Sequence, residues 1–203
     1  MRRKKINTAL RSKKNTILLI VENSEKLFYT HYFKKVLKNK YFVDIDCISS
    51  GIAGNCEITN GNKMSTRIHS ALSLDRYKAV FLMMDLKTKC HSSEQTHTCY
   101  VKLKKEYLPK FTIDKEYRDR FYLFVVCNEI ESWFLTIDNK RDNTNNVSRN
   151  HKEELKNFLN VKSELQIVQK MIVNLQSNKY ILDIEKNISF KYFIDKLIAI
   201  TKK

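Results

Sequence analysis

The sequence contains very little glycine and proline, with three Gly and one Pro among 203 residues. Flexible linkers and turn-rich modules depend on these two residues, so their scarcity argues against a chain of small separate units. No internal repeat is visible either. A chain of this length can bury a substantial apolar core without disulfide support. We therefore expect residues 15–203 to form a single domain.

Long apolar runs are also missing. The longest are residues 17–21 and 79–84, far shorter than the roughly 20 residues that span a bilayer. Only five apolar residues follow the basic N-terminal segment, too few for the core of a secretory signal. Five cysteines form an odd set, which fits free thiols in a reducing compartment better than a disulfide framework. These features predict a cytoplasmic protein without a membrane partner.

Acidic residues are outnumbered by basic ones, 22 against 38, which gives a formal net charge of +16. Such an excess favours a polyanionic partner, above all DNA or RNA. The alternative is a lysine-rich composition that only solvates the surface. Residues 1–14 hold seven basic residues and no acid, so they form either a flexible arm that lies along phosphates or a solvated tail. The basic residues of this arm are Arg2, Arg3, Lys4, Lys5, Arg11, Lys13 and Lys14.

Four segments have the pattern of β-strands. Residues 16–21 and 77–84 are continuous apolar runs typical of strands buried on both faces. Residues 41–48 and 120–127 are rich in β-branched and aromatic side chains. The spacing between these segments leaves room for a helix after each strand, as parallel sheets require.

Helical spacing of apolar residues predicts the connecting helices. The first begins after a cap at Ser24, a second covers residues 64–74, and a third lies in the second half of residues 91–110. A short helical turn follows the fourth strand, residues 138–150 are predicted as a loop, and residues 151–203 contain three helices. The pattern predicts an α/β three-layer sandwich with a mostly parallel central sheet and a helical C-terminal part.

Carboxylates follow three of the predicted strands. Glu22 comes after the first strand, Asp85 after the third, and Glu129 and Glu131 after the fourth. In open parallel sheets, ligands bind where strands end at the carboxyl edge. Burying several acids together is costly unless a cation relieves them, and Mg²⁺ or Mn²⁺ prefers oxygen ligands. One such acid alone would be read as a helix cap or a surface ion pair, but four at comparable places favour a metal site.

Three other features have competing interpretations. Residues 90–99 hold two Cys and two His, but their spacing is not a common zinc pattern, which favours a polar loop. His31 is either a general base or an exposed helix-face residue, and the second is favoured. Trp133 and Phe134 are interpreted as core rather than as a platform for nucleobases.

Four stretches carry a resemblance to a known family. VENSEKLFYTHYF resembles the first motif of Toprim-type catalytic domains, and FLMMDL resembles the second, an apolar strand that ends in D-x-D. NEIESWFLT is similar to an E-I-E-A-W-F-L segment of a bacterial family related to RloB and to the nuclease domain of overcoming-lysogenization-defect proteins. ISFKYFIDKL is similar to the S-F-x-x-F segment that closes members of that family.

The resemblance implies a Toprim-like, Rossmann-like fold with its core at about residues 15–137 and a helical portion at about 151–203. It also implies a site for Mg²⁺ or Mn²⁺. Glu22 would be a metal ligand or general base and Asp85 a metal ligand. Glu129 or Glu131 would add a ligand or orient the others, with Glu131 also counted among the catalytic residues. Glu25 would support the site from behind the ligands.

Two residues depart from the family pattern. Asn23 replaces the Gly that follows the first Glu, and Lys87 replaces the second Asp of D-x-D. An ammonium group cannot bind a metal. Either one metal suffices, or Glu129 or Glu131 supplies the missing ligand, or the site is inactive. As a further option, Lys87 acts in catalysis by neutralising a phosphate.

The resulting expectation is a Toprim-like metal-dependent nuclease that cleaves DNA or RNA, in the setting of anti-phage defence. The resemblance also implies an ATPase partner protein. The alternatives are a catalytically impaired nucleic-acid-binding module and a partner-regulated toxin component. The sequence leaves the oligomeric state open, a homodimer included.

Overall fold

The central sheet has four strands, and all of them run parallel. The computed structural model describes residues 15–51, 60–73, 77–86, 100–127, 129–137 and 149–202. Within these ranges the strands lie in the order β2-β1-β3-β4. Their bounds are β1 Ile17–Val21, β2 Ile45–Ser49, β3 Ala79–Asp85 and β4 Phe121–Val126. The predicted α/β class with a mostly parallel sheet is confirmed.

Helices connect the strands and form the C-terminal part. The first, α1, consists of an α-helical turn, a π-helical turn and a longer α-helical segment, with bounds Lys26–Phe28, Tyr29–Phe33 and Lys34–Tyr41. The others are α2 Gly61–Ser73, α3 Tyr100–Tyr107, α4 Glu131–Phe134, α5 His151–Leu159, α6 Glu164–Gln176 and α7 Ile188–Lys202. Short 3-10 turns lie at Leu108–Lys110, Lys115–Arg120, Leu135–Ile137 and Ile184–Lys186.

The sheet is covered on both faces, which makes three layers. Because side chains of a strand alternate between faces, Leu19 and Val21 join a core formed with α1 and α4 to α7. Leu18 and Ile20 point the other way and join a core formed with α2 and α3. Every residue of β1 and β3 is buried, as expected for strands between two helical layers. Asp85 has the same parity as Met83, so it lies on the face that carries α1 and α4 to α7.

Two local predictions were wrong. The second strand was expected to begin at residue 41, but Tyr41 is the last residue of α1 and β2 begins only at Ile45, because the left-handed Phe42 and residues 43–44 form the connection between them. Ser24 does not cap α1; the capping position is Glu25, which makes no side-chain capping bond. The predicted C-terminal helices are confirmed as α5, α6 and α7.

Several predictions fall outside the described residues. These include the basic arm at residues 1–14, Lys87, the possible zinc segment at residues 90–99, and most of the predicted loop at residues 138–150. Cys47 and Cys127, which the structure does describe, are not in disulfide bonds. In the described part of the chain, no helix has the length and apolar character that crossing a bilayer requires.

Phe42 adopts an unfavourable backbone conformation whose energetic cost can be measured. It ends α1 in the left-handed conformation, with φ of 56°, and its side chain is 84% exposed. A non-glycine residue pays about 1–2 kcal/mol for this conformation. We expect Phe42→Gly to raise the free energy of unfolding by about 0.5–1 kcal/mol in urea denaturation, after allowance for the greater freedom of glycine in the unfolded chain. Asn160→Gly is the control, because asparagine at φ of 52° already tolerates the conformation; an equal gain there would contradict this account.

Candidate active site

The acids that end the strands converge at one edge of the sheet. Glu22 follows β1, Asp85 is the last residue of β3, and Glu129 and Glu131 come shortly after β4. These three strands are neighbours, so their carboxyl ends lie side by side. The chain leaves β1 to one side to form β2 and later crosses to the other side to form β3. Glu22 and Asp85 therefore flank the topological switch point, where parallel α/β sheets bind their ligands.

Glu22, Asp85 and Glu131 line a small cavity. Its volume is about 10 Å³, close to the space that one water molecule needs. Its lining comprises Glu22, Ser24, Glu25, Asp85, Ile130, Glu131, Lys152, Glu164 and Val168. Glu25, Asp85 and Glu131 are 4%, 7% and 3% exposed, and Glu22 is half-buried. The deep end of the cavity is thus built from carboxylates withdrawn from solvent.

A hydrogen-bond network fixes the turn that carries Glu129 and Glu131. Ser189 Oγ accepts from the backbone N–H of Cys127 at 3.1 Å and from Trp133 Nε1 at 2.9 Å. Ser189 itself donates to Asn187 Oδ1 at 2.8 Å, and Asn187 Nδ2 donates to Ser132 Oγ at 3.2 Å. Asn187 and Ser132 are fully buried. The acid-bearing turn is therefore anchored to the start of α7.

Aromatic packing reinforces the same junction. The rings of Trp133 and Phe190 stack with centroids 4.5 Å apart, and Phe193 lies 5.4 Å from Trp133. Trp133 and Phe134 are fully buried, so their interpretation as core is confirmed. Two of the stretches that carry the family resemblance, NEIESWFLT and ISFKYFIDKL, are thus in direct contact. Their joint effect is to hold Glu129 and Glu131 at the sheet edge.

Burial and mutual repulsion raise the proton affinity of the deep acids. Burial raises the pKa of Asp85 well above its usual range, and the charges of Glu25, Glu22, Glu131 and Glu129 raise it further. Burial likewise raises the pKa of Glu25, with Glu22 and Glu131 as the next causes. Burial also raises the pKa of Glu131 to about 7, against a partial opposing effect of Lys152. These carboxylates are close enough to repel one another, and within the described residues Lys152 offsets only part of that repulsion.

Two residues of the site come from the helical C-terminal part. Lys152, the second residue of α5, places Nζ 3.1 Å from Glu129 Oε2 and 3.4 Å from Glu164 Oε1 on α6. Burial lowers the pKa of Lys152, but the nearby carboxylates of Glu131, Glu129, Asp85 and Glu164 outweigh it and raise the pKa overall. The lysine is therefore charged and acts as a counter-ion to the cluster.

The donor set has the chemistry of a site for a hard divalent cation. Its atoms are carboxylate oxygens, which Mg²⁺ and Mn²⁺ prefer. Glu131 Oε2 is buried and has no hydrogen-bond partner among the described residues, and a cation would satisfy it. Within the described ranges, however, no three His, Cys, Asp or Glu side chains are already grouped to hold a metal. The residues fit the ion in kind, and binding requires carboxylates to rotate toward it.

The structure places the remaining predicted residues as follows. Glu25, expected to support the site from behind, lines the cavity together with Glu22 and Asp85. His31 is exposed on α1 and is not among the cavity residues, in agreement with its interpretation as a helix-face residue. Asn23 is not among the residues with positive φ, so a glycine is not needed there. Lys87 and the basic arm lie outside the described residues.

Lys152 and Glu164 were missed from the sequence. From sequence alone, a lysine near the start of a helix is normally interpreted as a solvated side chain. One local signal was available, because a lysine in the first turn opposes the helix dipole and needs nearby acids to be favourable. Glu164, the first residue of α6, follows the dipole preference and so gives no signal at all.

The thiol of Cys47, on β2, is not a candidate nucleophile. Burial raises its pKa to about 12, with the charge of Glu25 as the next cause. The thiolate is the reactive form of cysteine, and it would be absent near neutral pH. The chemistry of this site is carried by oxygen donors and by Lys152.

Comparisons of the chain with protein-family models, with curated proteins and with solved structures found no match.

Proposed function

We propose that this chain is a divalent-metal-dependent phosphodiesterase, a Toprim-like nuclease that cleaves DNA or RNA. The observation that carries the proposal is the group of buried acids at the carboxyl ends of β1, β3 and β4, with Glu131 Oε2 lacking a partner among the described residues. Ligands of parallel α/β sheets bind at this edge, carboxylates suit divalent cations, and such cations can bind phosphates. The net charge of +16 supports a polyanionic substrate.

The proposed roles of the acids follow from how deeply each one is buried. Asp85 and Glu131, which are deeply buried, would hold the cation with Glu129. Glu22 is half-buried at the same cavity, so it would hold the cation from the solvent side or accept a proton from the attacking water. When bound, Mg²⁺ or Mn²⁺ would lower the pKa of that water and neutralise charge on the phosphate.

The polypeptide buries the deep acids and fixes their positions. Glu129 and Glu131 are held by the turn anchored to α7, and Asp85 by its place in β3 next to β4. Positive groups outside the described residues, Lys87 and the basic arm, would contact phosphates of the substrate. The setting in anti-phage defence and the ATPase partner rest on the sequence resemblance alone.

A cleavage assay tests the proposal. Purified protein is incubated with single-stranded DNA, duplex DNA, supercoiled plasmid and tRNA, in Mg²⁺, in Mn²⁺ and in EDTA, with and without a co-purifying partner. We expect cleavage of at least one substrate with either ion and none in EDTA. Absence of cleavage in every combination would remove the enzymatic proposal.

A second candidate is a nucleic-acid-binding module without catalysis. Lys152 favours it, because this ammonium already neutralises part of the acid cluster. Such a module would bind nucleic acid with an affinity that falls as salt rises, and it would cleave nothing. Fluorescence anisotropy at 50 and 200 mM salt, read beside the cleavage assay, separates the two candidates.

A further inference from the structure

Lys152 supplies positive charge to the cavity lining. Of the described residues that line the cavity, five are acids and only Lys152 is basic. Its side chain is 23% exposed, so the ammonium is largely withdrawn from water. Among the described residues of the lining, the acids exceed the lysine in number, so one ammonium cannot neutralise all of them.

The ammonium bridges two acids that differ in environment. Glu129 has a side chain 8% exposed and lies in the anchored turn after β4, whereas Glu164 has a side chain 35% exposed and lies on α6. The distances are 3.1 Å to Glu129 and 3.4 Å to Glu164. Glu164 can therefore keep Lys152 as a partner near the surface if Glu129 releases it.

We infer that Lys152 is a built-in competitor of the divalent cation, which occupies the acid cluster in the metal-free protein and moves from Glu129 toward Glu164 when a metal binds. The inference rests on the proposed function, since it concerns the same acids. An ammonium and a divalent cation repel each other strongly at such short range. A carboxylate that binds the metal therefore attracts the Lys152 ammonium less strongly than before.

The arrangement has a physical benefit and a cost. In the absence of metal, Lys152 limits the repulsion among the buried acids and so keeps the sheet edge folded. In the presence of metal, the ion must displace that charge, so its affinity is lower than the number of carboxylates alone would give. Glu164 reduces this cost because it retains the lysine after displacement.

Calorimetric titration with Mn²⁺ tests the inference, using wild type, Lys152→Gln, Glu164→Gln and the double variant. We expect Lys152→Gln to tighten Mn²⁺ binding about tenfold and Glu164→Gln to weaken it. If Glu164 acts through the lysine, its effect shrinks to less than about twofold in the Lys152→Gln background, by the logic of a double-mutant cycle. Lys156→Gln is the matched control on the same helix, because Lys156 pairs with Glu153 at 3.6 Å and should leave the affinity unchanged.

The outcomes separate this inference from the proposed function. Equal or weaker Mn²⁺ binding by Lys152→Gln overturns the inference, even where the wild-type protein cleaves nucleic acid. Tighter binding supports it, even where no cleavage is seen. If Lys152→Gln is too unstable to titrate, its thermal unfolding is followed with Mn²⁺: a rise in Tm larger than that of the wild type supports the inference, and an equal or smaller rise overturns it.

Discussion

Replacing Asp85 by asparagine is expected to lower metal-dependent cleavage about 100- to 1000-fold, the range typical when one preorganised electrostatic contact is lost. The same change is expected to raise the free energy of unfolding of the metal-free protein by about 1–2 kcal/mol. The two effects have one cause. Burial raises the pKa of Asp85, and the charges of the neighbouring acids raise it further, so its ionised form is unfavourable in the folded protein until a cation relieves it.

The opposite signs make the experiment decisive. Neutralising an acid with a structural role lowers the stability of the protein. Neutralising an acid that is kept for binding raises the stability of the protein and lowers its activity. Cleavage rates in Mn²⁺ and urea denaturation in EDTA give the two quantities. A variant with unchanged cleavage, or with lower stability in EDTA, would contradict the assignment of Asp85 to a metal site.

Asp46 provides the matched control. It also lies on a strand of the sheet, in β2, but it accepts hydrogen bonds from Lys34 at 3.0 Å and from Tyr77 Oη at 3.1 Å. Its carboxylate is thus compensated, and it is not among the cavity residues. Asp46→Asn is therefore expected to lower stability and to leave cleavage within about twofold of wild type.

The sheet and the acids at its edge could be predicted because both depend on short-range patterns. β1 and β3 are continuous apolar runs, and each is buried along its whole length. The parallel arrangement then brings the residues that follow the strands to one edge of the sheet, and this placement does not depend on the conformation of the loops. Glu22 and Asp85 could be placed together by this geometry, without knowledge of a single side-chain contact.

The limits of the prediction also have physical causes. The segment around Tyr41 suits a strand by composition, but Tyr41 is the last residue of α1 and the left-handed Phe42 follows it before β2 begins at Ile45. The π-helical turn Tyr29–Phe33 has no distinctive sequence pattern. It places Phe28, Tyr29 and Phe33 in the core, where tertiary packing rather than local propensity decides the helix geometry.

The counter-ion of the site could not be predicted because its contacts are tertiary. Lys152 reaches Glu129 across 23 positions of the chain, and Glu164 joins them from a different helix. Periodicity locates α5 and α6 but does not say which of their polar residues face the sheet edge. The predicted metal ligands were therefore all acids, with Lys87 expected to act on a phosphate, and the structure adds Lys152 as a counter-ion of the acid cluster.

In the metal-free protein, stability is expected to fall as pH rises from about 4.5 to about 7. Burial raises the pKa of Glu131 from 4.5 to about 7, so between these values the folded protein holds a proton that the unfolded chain has released. Stability falls with pH wherever the folded state binds more protons, and the contribution of Glu131 is complete above its folded pKa. A shift of this size corresponds to roughly 3 kcal/mol. Asp85 and Glu25 act in the same direction, since their pKa values are also raised.

Urea denaturation in EDTA at several pH values checks this expectation. Glu131→Gln should remove roughly 3 kcal/mol of the total fall, whereas Glu153→Gln, an exposed acid of α5 paired with Lys156, should leave the pH dependence as it is. An unchanged pH dependence of stability in Glu131→Gln would contradict the raised pKa of the Glu131 carboxyl.

Saturating Mn²⁺ should change the sign of this pH dependence. A divalent cation binds only the ionised carboxylates of the folded protein, so its stabilising effect grows as the acids lose their protons. Stability in Mn²⁺ is then expected to rise between pH 4.5 and 7, where in EDTA it falls. If the two curves run parallel in the wild type, the acids at this sheet edge do not bind the ion.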